Sequence, residues 1–434
     1  MRKFNTELSQ TRYMQTQRNL PNNDKVLGMR IPLASSGLRQ IDIDSAIRVL
    51  YSGNLTMGKE VKAFELAMAN YLKCKEFVMV NSGSSANLAM VEALLRPAKS
   101  QPRLHPGDKI LVPAIAWPTT IWPLIQLGLV PVFVDVDPHT LAIDLPSAQE
   151  AVNRAGESMR GIFPIHPLGL AIPNSQLDKF AIENGLILIN DVCESLGSWS
   201  EGKHAGTSGI AASFSFYFSH HITTMEGGGI ATNDPDFADD LRSIRSHGWS
   251  RDRHDAASWT EGVSANQAKF LFISAGYNIR PMEIQAAIGR TQIQDIDKFI
   301  ARRRLIANAV QVALRDGPLK VIGGENLGNP QTQAGHSWMH IPLLVQGANS
   351  KKRKELILKS LEELGIETRP VLTGNFLSQP ALQKISINLQ SPESFPIASS
   401  ISDNAFLIGA HHDLSDSQIE YLCENLVSVA NLYK

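Results

Sequence analysis

Cysteine is scarce in this chain: three thiols, Cys74, Cys193 and Cys423, are spread over 434 residues. None stands in a C-x-x-C pair, so neither a disulfide framework nor a zinc site is indicated, and a reducing compartment fits. Charge of one sign is missing too. The 41 Lys and Arg against 42 Asp and Glu leave a formal net charge of −1, too weak a field to hold nucleic acid or an anionic membrane surface. A small molecule is the better partner. No apolar run reaches the length needed to span a bilayer, and the charged N-terminus has no apolar core behind it. The sequence therefore reads as cytoplasmic, neither secreted nor membrane-inserted. It also lacks internal repeats and low-complexity tracts.

What is present is a chain with 43% hydrophobic and 19% charged residues, enough for a large core and, at this length, for two domains. Residues 1–30 are polar, with six Lys or Arg against two Asp or Glu, and read as a loose extension. From Ile31 short apolar runs alternate with amphipathic stretches. The runs 77–80, 109–112, 130–134, 161–164 and 186–189 predict buried strands, and 87–95 and 175–183 predict helices. This alternation predicts an α/β domain with a mainly parallel sheet over 31–290. A long helical pattern over 281–314, with Pro281 in its first turn, leaves that domain. A strand at 340–345, a helix at 352–364 and a last helix from Ser415 predict a smaller α+β domain over 291–434.

Three motifs could carry chemistry. Asn81–Asn87, N-S-G-S-S-A-N, joins a strand to a helix: Gly83 permits a tight turn, and Ser84 and Ser85 meet a helix N-terminus, which favours phosphate. Taken alone, such a turn reads equally as helix capping. Asn190–Ser195, N-D-V-C-E-S, sets Asp191 at the carboxyl end of a strand, where open α/β sheets hold ligands and where a carboxylate can hold a protonated pyridine nitrogen. The plain alternative is a helix cap. Ser213–Gly229, S-F-S-F-Y-F-S-H-H-I-T-T-M-E-G-G-G, places His220 and His221 before a glycine run.

Together these motifs resemble, in order and spacing, the phosphate loop, pyridine-nitrogen aspartate and cofactor-lysine segment of the DegT/DnrJ/EryC1/StrS family of sugar aminotransferases. The family pattern S-F-Y-P-T-K-N-x-T-T-G-E-G-G has its lysine where His220 stands here. The resemblance continues through P-A-I-A-W-P-T-T-I-W-P (113–123), G-Y-N-I-R-P (276–281) and E-T-R-P-V-L-T-G-N-F (367–376), covering nearly everything after residue 30. It implies the fold type I, aspartate aminotransferase-like architecture of pyridoxal 5'-phosphate (PLP) enzymes.

Two departures from the aminotransferases point to the family's sugar 3-dehydratase branch: His220, and Glu194 where glutamine is usual. One kind of enzyme in that branch carries an iron–sulfur cluster on clustered cysteines after the segment matching H-G-W-S-R (247–251). Residues 249–280 contain no cysteine, so no such cluster is expected, and no other metal is.

By resemblance, Gly83, Ser84 and Ser215 hold the cofactor phosphate, with Asn278 contributed by the partner of a homodimer that shares its active sites. Trp117 stacks on the pyridine ring, although by itself it reads as a core aromatic. Asp191 pairs with the ring nitrogen and Glu194 lies near the ring substituents. His220 is the catalytic base, His221 structural, and Cys193 a core residue. A lysine amine would hold the cofactor covalently, whereas an imidazole only moves protons. The resemblance thus implies a mobile pyridoxamine 5'-phosphate (PMP), made from PLP with glutamate as amino donor and 2-oxoglutarate as product. The implied substrate is a nucleotide-linked 4-keto-6-deoxyhexose, with GDP and the manno configuration expected. Its C3 hydroxyl is lost and ammonia is released. An imidazole of ordinary pKa, about 6.5, would serve as base and then as acid. Two alternatives stay open at this point: a sugar-nucleotide 4-aminotransferase without its lysine, and a non-catalytic sensor of cofactor or sugar nucleotide.

Overall fold

The computed structural model describes residues 29–99, 101–326, 335–385 and 390–433; the extension expected over 1–30 lies outside them except for its last two residues. In chain order the strands of the first half are β1 (Glu76–Val80), β2 (Lys109–Pro113), β3 (Val130–Val134), β4 (Met159–Ile162), β5 (Ile187–Asp191), a two-residue ribbon of β6 (Trp199–Ser200) and β7 (Lys203–His204), then β8 (Ala211–Ser215) and β9 (Gly228–Thr232). Seven of them form one sheet in the order β1-β9-β8-β5-β4-β2-β3. Neighbours β3, β2, β4, β5 and β8 pair in parallel, and β9 runs antiparallel between β8 and β1. Near-continuous burial along β1, β2 and β5 follows from their unbroken apolar runs, which need cover on both faces. Helices such as Gly83–Leu95 and Pro118–Gln126 supply it.

The histidine segment becomes the end of β8, a loop and the start of β9. Phe216 N–H donates to Gly227 O (2.9 Å) and Thr224 N–H to Phe216 O (2.9 Å), tying the loop across its neck. The following glycines leave room for their neighbours. A Cβ on Gly228 would lie 2.4 Å from the Ser82 carbonyl, and one on Gly229 would lie 2.3 Å from the Phe77 ring.

The helical pattern over 281–314 is two helices, Glu283–Ile293 and Ile296–Ala313. Pro281 precedes the first one instead of lying in its opening turn, because Met282 is the N-cap. Glu283, 1% exposed, turns its carboxylate onto the start of helix Lys59–Leu72 and accepts the N–H groups of Gly58, Glu60 and Val61 at 2.8–2.9 Å. A carboxylate there satisfies donors that the helix itself cannot and offsets its positive end.

Four antiparallel strands make a second sheet: β10 (Leu319–Val321), β11 (His340–Val345), β12 (Thr368–Arg369) and β13 (Ala405–Gly409), in the order β10-β11-β13-β12. Ile31 pairs with Ile366 beside this sheet. The segment after β12 fastens the two layers. Phe376 N–H donates to Ala114 O (2.8 Å), Thr373 Oγ1 donates to Ala116 O (2.8 Å), and the Phe376 ring stacks on Phe133 at 6.3 Å. The segments 113–123 and 367–376 therefore meet in space. Among the described residues no helix is long and apolar enough to cross a membrane.

Candidate active site

A cavity of about 290 Å³ opens where the large sheet ends its parallel strands, the edge at which α/β sheets hold ligands. Ser82, Gly83 and Ser84 reach it from beyond β1, Trp117 from beyond β2, Asp191, Cys193 and Glu194 from the end of β5, and Ser215, Tyr217, Ser219 and His220 from the end of β8. Arg369 and Leu372 enter from the second sheet. A larger hollow, about 1210 Å³, lies on the small domain around Lys354 and Glu363. It gathers charges of both signs and, of the quoted motifs, meets only Glu367–Pro370 at the start of the 367–376 segment.

Asp191 is 4% exposed and held from three sides. Its Oδ2 accepts Asn87 Nδ2–H (2.8 Å) and Thr120 Oγ1–H (2.6 Å), and its Oδ1 accepts the Cys193 N–H (3.1 Å). Both positions on Oδ2 are taken, so Oδ1 is the oxygen available to a ligand. Thr120 and Asn87 stand inside quoted motifs, yet nothing in their spacing showed that they hold this carboxylate.

Gly83 is the first residue of its helix, capped by Ser82, whose hydroxyl accepts Ser85 N–H at 3.1 Å. Its φ is not positive, so the tight-turn reason given for it does not apply. Space is the reason. A Cβ there would lie 2.5 Å from Ser215 Cβ and 3.0 Å from Cys193 Sγ. Ser84 is exposed to the cavity, while the Ser85 hydroxyl turns back to Ser82. The helix N-terminus, Ser84 and Ser215 form a cradle suited to an anion.

Trp117 is 45% exposed on the cavity wall and is no core residue. Cys193 is no core residue either: half-buried, it lines the cavity, and burial pushes its thiol well above the ordinary value. Glu194 accepts Leu168 N–H through Oε2 (2.9 Å) and lies 3.9 Å from the Arg369 guanidinium. Burial raises its pKa against the opposing pull of Arg369.

His220 lines the cavity, with its N–H donated to Tyr217 O (2.9 Å) and its Nδ1 buried without a partner among the described residues. Burial first, then the charges of Arg369 and Arg303, lower its pKa to about 3. The expected imidazole of ordinary pKa is thus replaced by one held neutral by burial and two arginines. His221 points into the core, 1% exposed. Asn278 is exposed on the surface, accepts Arg280 Nε–H (3.0 Å), and does not line this cavity.

An anion cradle, a carboxylate acceptor and an exposed aromatic side chain around one cavity fit a phosphorylated pyridine. With this sheet order, they place the protein among PLP enzymes of the aspartate aminotransferase type. The chain belongs to the DegT/DnrJ/EryC1/StrS aminotransferase family, whose pattern matches residues 38–427. It is 36% identical over 397 residues to the GDP-4-keto-6-deoxy-D-mannose 3-dehydratase of Escherichia coli O55:H7, covering 91% of this chain and 99% of that one. The solved structure of the E. coli enzyme with bound hydrated PLP superposes with a TM-score of 0.82 at 36% identity, over 92% of this chain and 99% of that one. A structure of such a dehydratase with a trapped PLP-glutamate geminal diamine superposes with a TM-score of 0.80 at 35% identity, over 92% and 100% of the two chains.

Proposed function

We propose that the chain is a sugar-nucleotide 3-dehydratase dependent on PLP and PMP, acting on GDP-4-keto-6-deoxymannose with glutamate as amino donor. The observation that carries the reading is the base in the cavity. His220 stands where the family has lysine, and among the described residues no lysine lines the cavity. The cofactor is therefore not anchored covalently and works in its amine form.

When bound, PMP supplies an amine for the C4 ketone and a ring that accepts electrons as the C3 hydroxyl leaves. The chain's residues do the rest. Gly83, Ser84 and Ser215 hold the phosphate, Trp117 covers the ring, and Asp191 Oδ1 keeps the ring nitrogen protonated. His220, neutral before the reaction, takes a proton from the cofactor carbon that bears the amine, then gives a proton to the departing hydroxyl. The balance is complete: sugar substrate and glutamate give the 4-keto-3,6-dideoxy sugar nucleotide, 2-oxoglutarate and ammonia, the oxygen lost at C3 matching the one gained by the donor.

The protein is a cytoplasmic homodimer in which Asn278 serves the partner's cofactor phosphate. The exposure of Asn278, and of Ile41, Ile47, Leu50 and Tyr51 along helix Gln40–Ser52, supports that reading. The test is incubation with PLP, glutamate and GDP-4-keto-6-deoxymannose, followed by mass spectrometry of the sugar nucleotide. A 3-deoxy ketosugar with free ammonia is expected, and an amine on C4 would make the protein an aminotransferase instead.

A further inference from the structure

Nothing polar aims the ring of His220. Its Nδ1 is buried without a partner among the described residues, and Tyr217 meets the ring edge-on at 6.0 Å. A catalytic imidazole is ordinarily oriented by a hydrogen bond to its second nitrogen. Here the main chain has that task. The His220 N–H goes to Tyr217 O within the same loop (2.9 Å), and the His220 carbonyl accepts a long hydrogen bond, 3.4 Å, from Nη2–H of Arg303.

Arg303 stands on helix Ile296–Ala313 and is 1% exposed. Its other amine, Nη1, donates to Trp338 O (3.1 Å) and Met339 O (3.0 Å), with Ala410 O at 3.5 Å. Trp338 and Met339 lead into β11 and Ala410 follows β13, so one guanidinium joins the loop of the base to two strands of the small sheet. Trp338 is fully buried at φ +50, a left-handed conformation that disfavours a side chain, and Met339 lines the cavity. Among the described residues no carboxylate forms an ion pair with Arg303; burial lowers its pKa to about 10, and the charge of Asp413 opposes that only in part. A cation kept from water in this way is costly, and an apolar side chain would fill the same place without that cost. What the apolar side chain could not do is hold carbonyls on three segments at once.

We propose that Arg303 is a positioning residue: by binding the His220 carbonyl together with those of Trp338, Met339 and Ala410, it aims the base at the cofactor and ties that aim to the seating of the small domain. The assignment rests on the dehydratase reading in taking His220 as the base. Arg303 is also one of the charged groups that face His220. The others are Arg369 from β12 and, held neutral by burial, His221 and His340; the acids Asp191, Glu194 and Glu226 share the cavity.

The test mixes PMP-loaded protein with GDP-4-keto-6-deoxymannose alone and counts the 3-deoxy sugar by mass spectrometry over one turnover. Arg303→Met slows this sugar half-reaction roughly 10- to 100-fold, the factor that misplacing a reacting group costs, while PMP affinity by equilibrium dialysis stays within about threefold. The slowed step shows a deuterium isotope effect when the PMP carbon that bears the amine is deuterated, because proton removal is what suffers. The rate at about pH 4 relative to about pH 7 falls below the wild-type ratio, since loss of a nearby positive charge raises the pKa of His220. Arg303→Lys keeps the charge and that ratio, but one ammonium cannot reach all three segments, and the rate is only partly restored. Should Arg303→Met not fold, as thermal unfolding will show, Arg303→Lys decides: a slower, isotope-sensitive rate with PMP affinity kept supports the assignment. An unchanged rate, a loss without an isotope effect, or rate and PMP affinity falling together, as a purely structural role requires, would overturn it. Wild-type protein that forms no 3-deoxy sugar refutes the dehydratase reading instead. The same variants are then compared in the reaction of PLP-loaded protein with glutamate, where a proton moves at the same cofactor carbon.

Discussion

Asp191→Asn changes one atom at the best-defined point of the cavity. Oδ2 receives two donors, Asn87 Nδ2–H and Thr120 Oγ1–H. Asn87 also gives its amide to Thr119 O at 3.1 Å, so it cannot turn over without losing that bond. The new amide nitrogen is thereby driven to the Oδ1 position, where it faces the Cys193 N–H and the protonated ring nitrogen. Donor then meets donor. The loss is one hydrogen bond to a charged group, about 1.5–3 kcal/mol, or roughly a 10- to 150-fold weaker hold on PMP. The rate of sugar conversion falls further, on the order of 100-fold, since a preorganised charge that stabilises the electron-rich ring is gone. PMP binding is read by titrating the cofactor-free variant with equilibrium dialysis, and turnover by mass spectrometry. Thermal unfolding confirms that the fold is kept. PMP affinity within about threefold of wild type, a difference under 1 kcal/mol, together with an intact rate would refute the placement of the ring nitrogen at Asp191.

Other consequences follow from the same geometry. Gly83→Ala forces a Cβ to within 2.5 Å of Ser215 Cβ; overpacking of this kind costs about 1–3 kcal/mol, so cofactor affinity and melting temperature should both drop, as dialysis and calorimetry would report. Glu283→Gln keeps the shape but turns an amide nitrogen onto a helix N-terminus, and a loss of about 1.5–3 kcal/mol in urea unfolding is expected. Burial and then Arg369 and Arg303 hold the pKa of His220 down to about 3, so its base form persists through pH 5–7 and the sugar half-reaction shows no acid limb near 6.5; removing the Arg369 charge in Arg369→Gln raises that pKa and shifts the low-pH limb upward. Stability behaves differently. His166, His204 and His336 are buried with pKa values of about 4, 3 and 4, below the unfolded value. Their contribution is whole above about pH 6.5 and falls away as the pH drops toward 4, by on the order of 2 kcal/mol each at pH 5. Denaturant unfolding between pH 7 and 5 measures it, and a flat profile would contradict the burial argument.

The sequence by itself determined the architecture and the reaction class, because both are written in local patterns. Apolar runs at 130–134 and 340–345 match β3 and β11 residue for residue, and Ser415 caps the last helix as its position implied. His220 for lysine is a change of functional group, readable without coordinates. Other strands were less legible. β8 and β9 overlap only the two ends of the motif read for its chemistry, and Gly228 and Gly229 are small because Ser82 and Phe77 press on them, not because they follow an apolar period. The break at Gln294 and Asp295 was likewise invisible in a pattern that reads as helical throughout.

Only the tertiary structure decided how the site is held and tuned. Thr120 and Asn87 reach Asp191 across separate elements, and Arg369 arrives from the other domain. Gly83 matters for the space beside Ser215 and not for a turn. The lowered pKa of His220 arises from burial and from two arginines distant in the chain. Hydrogen bonds, close approach and electric fields act through space, so sequence spacing carries no record of them until the chain has folded.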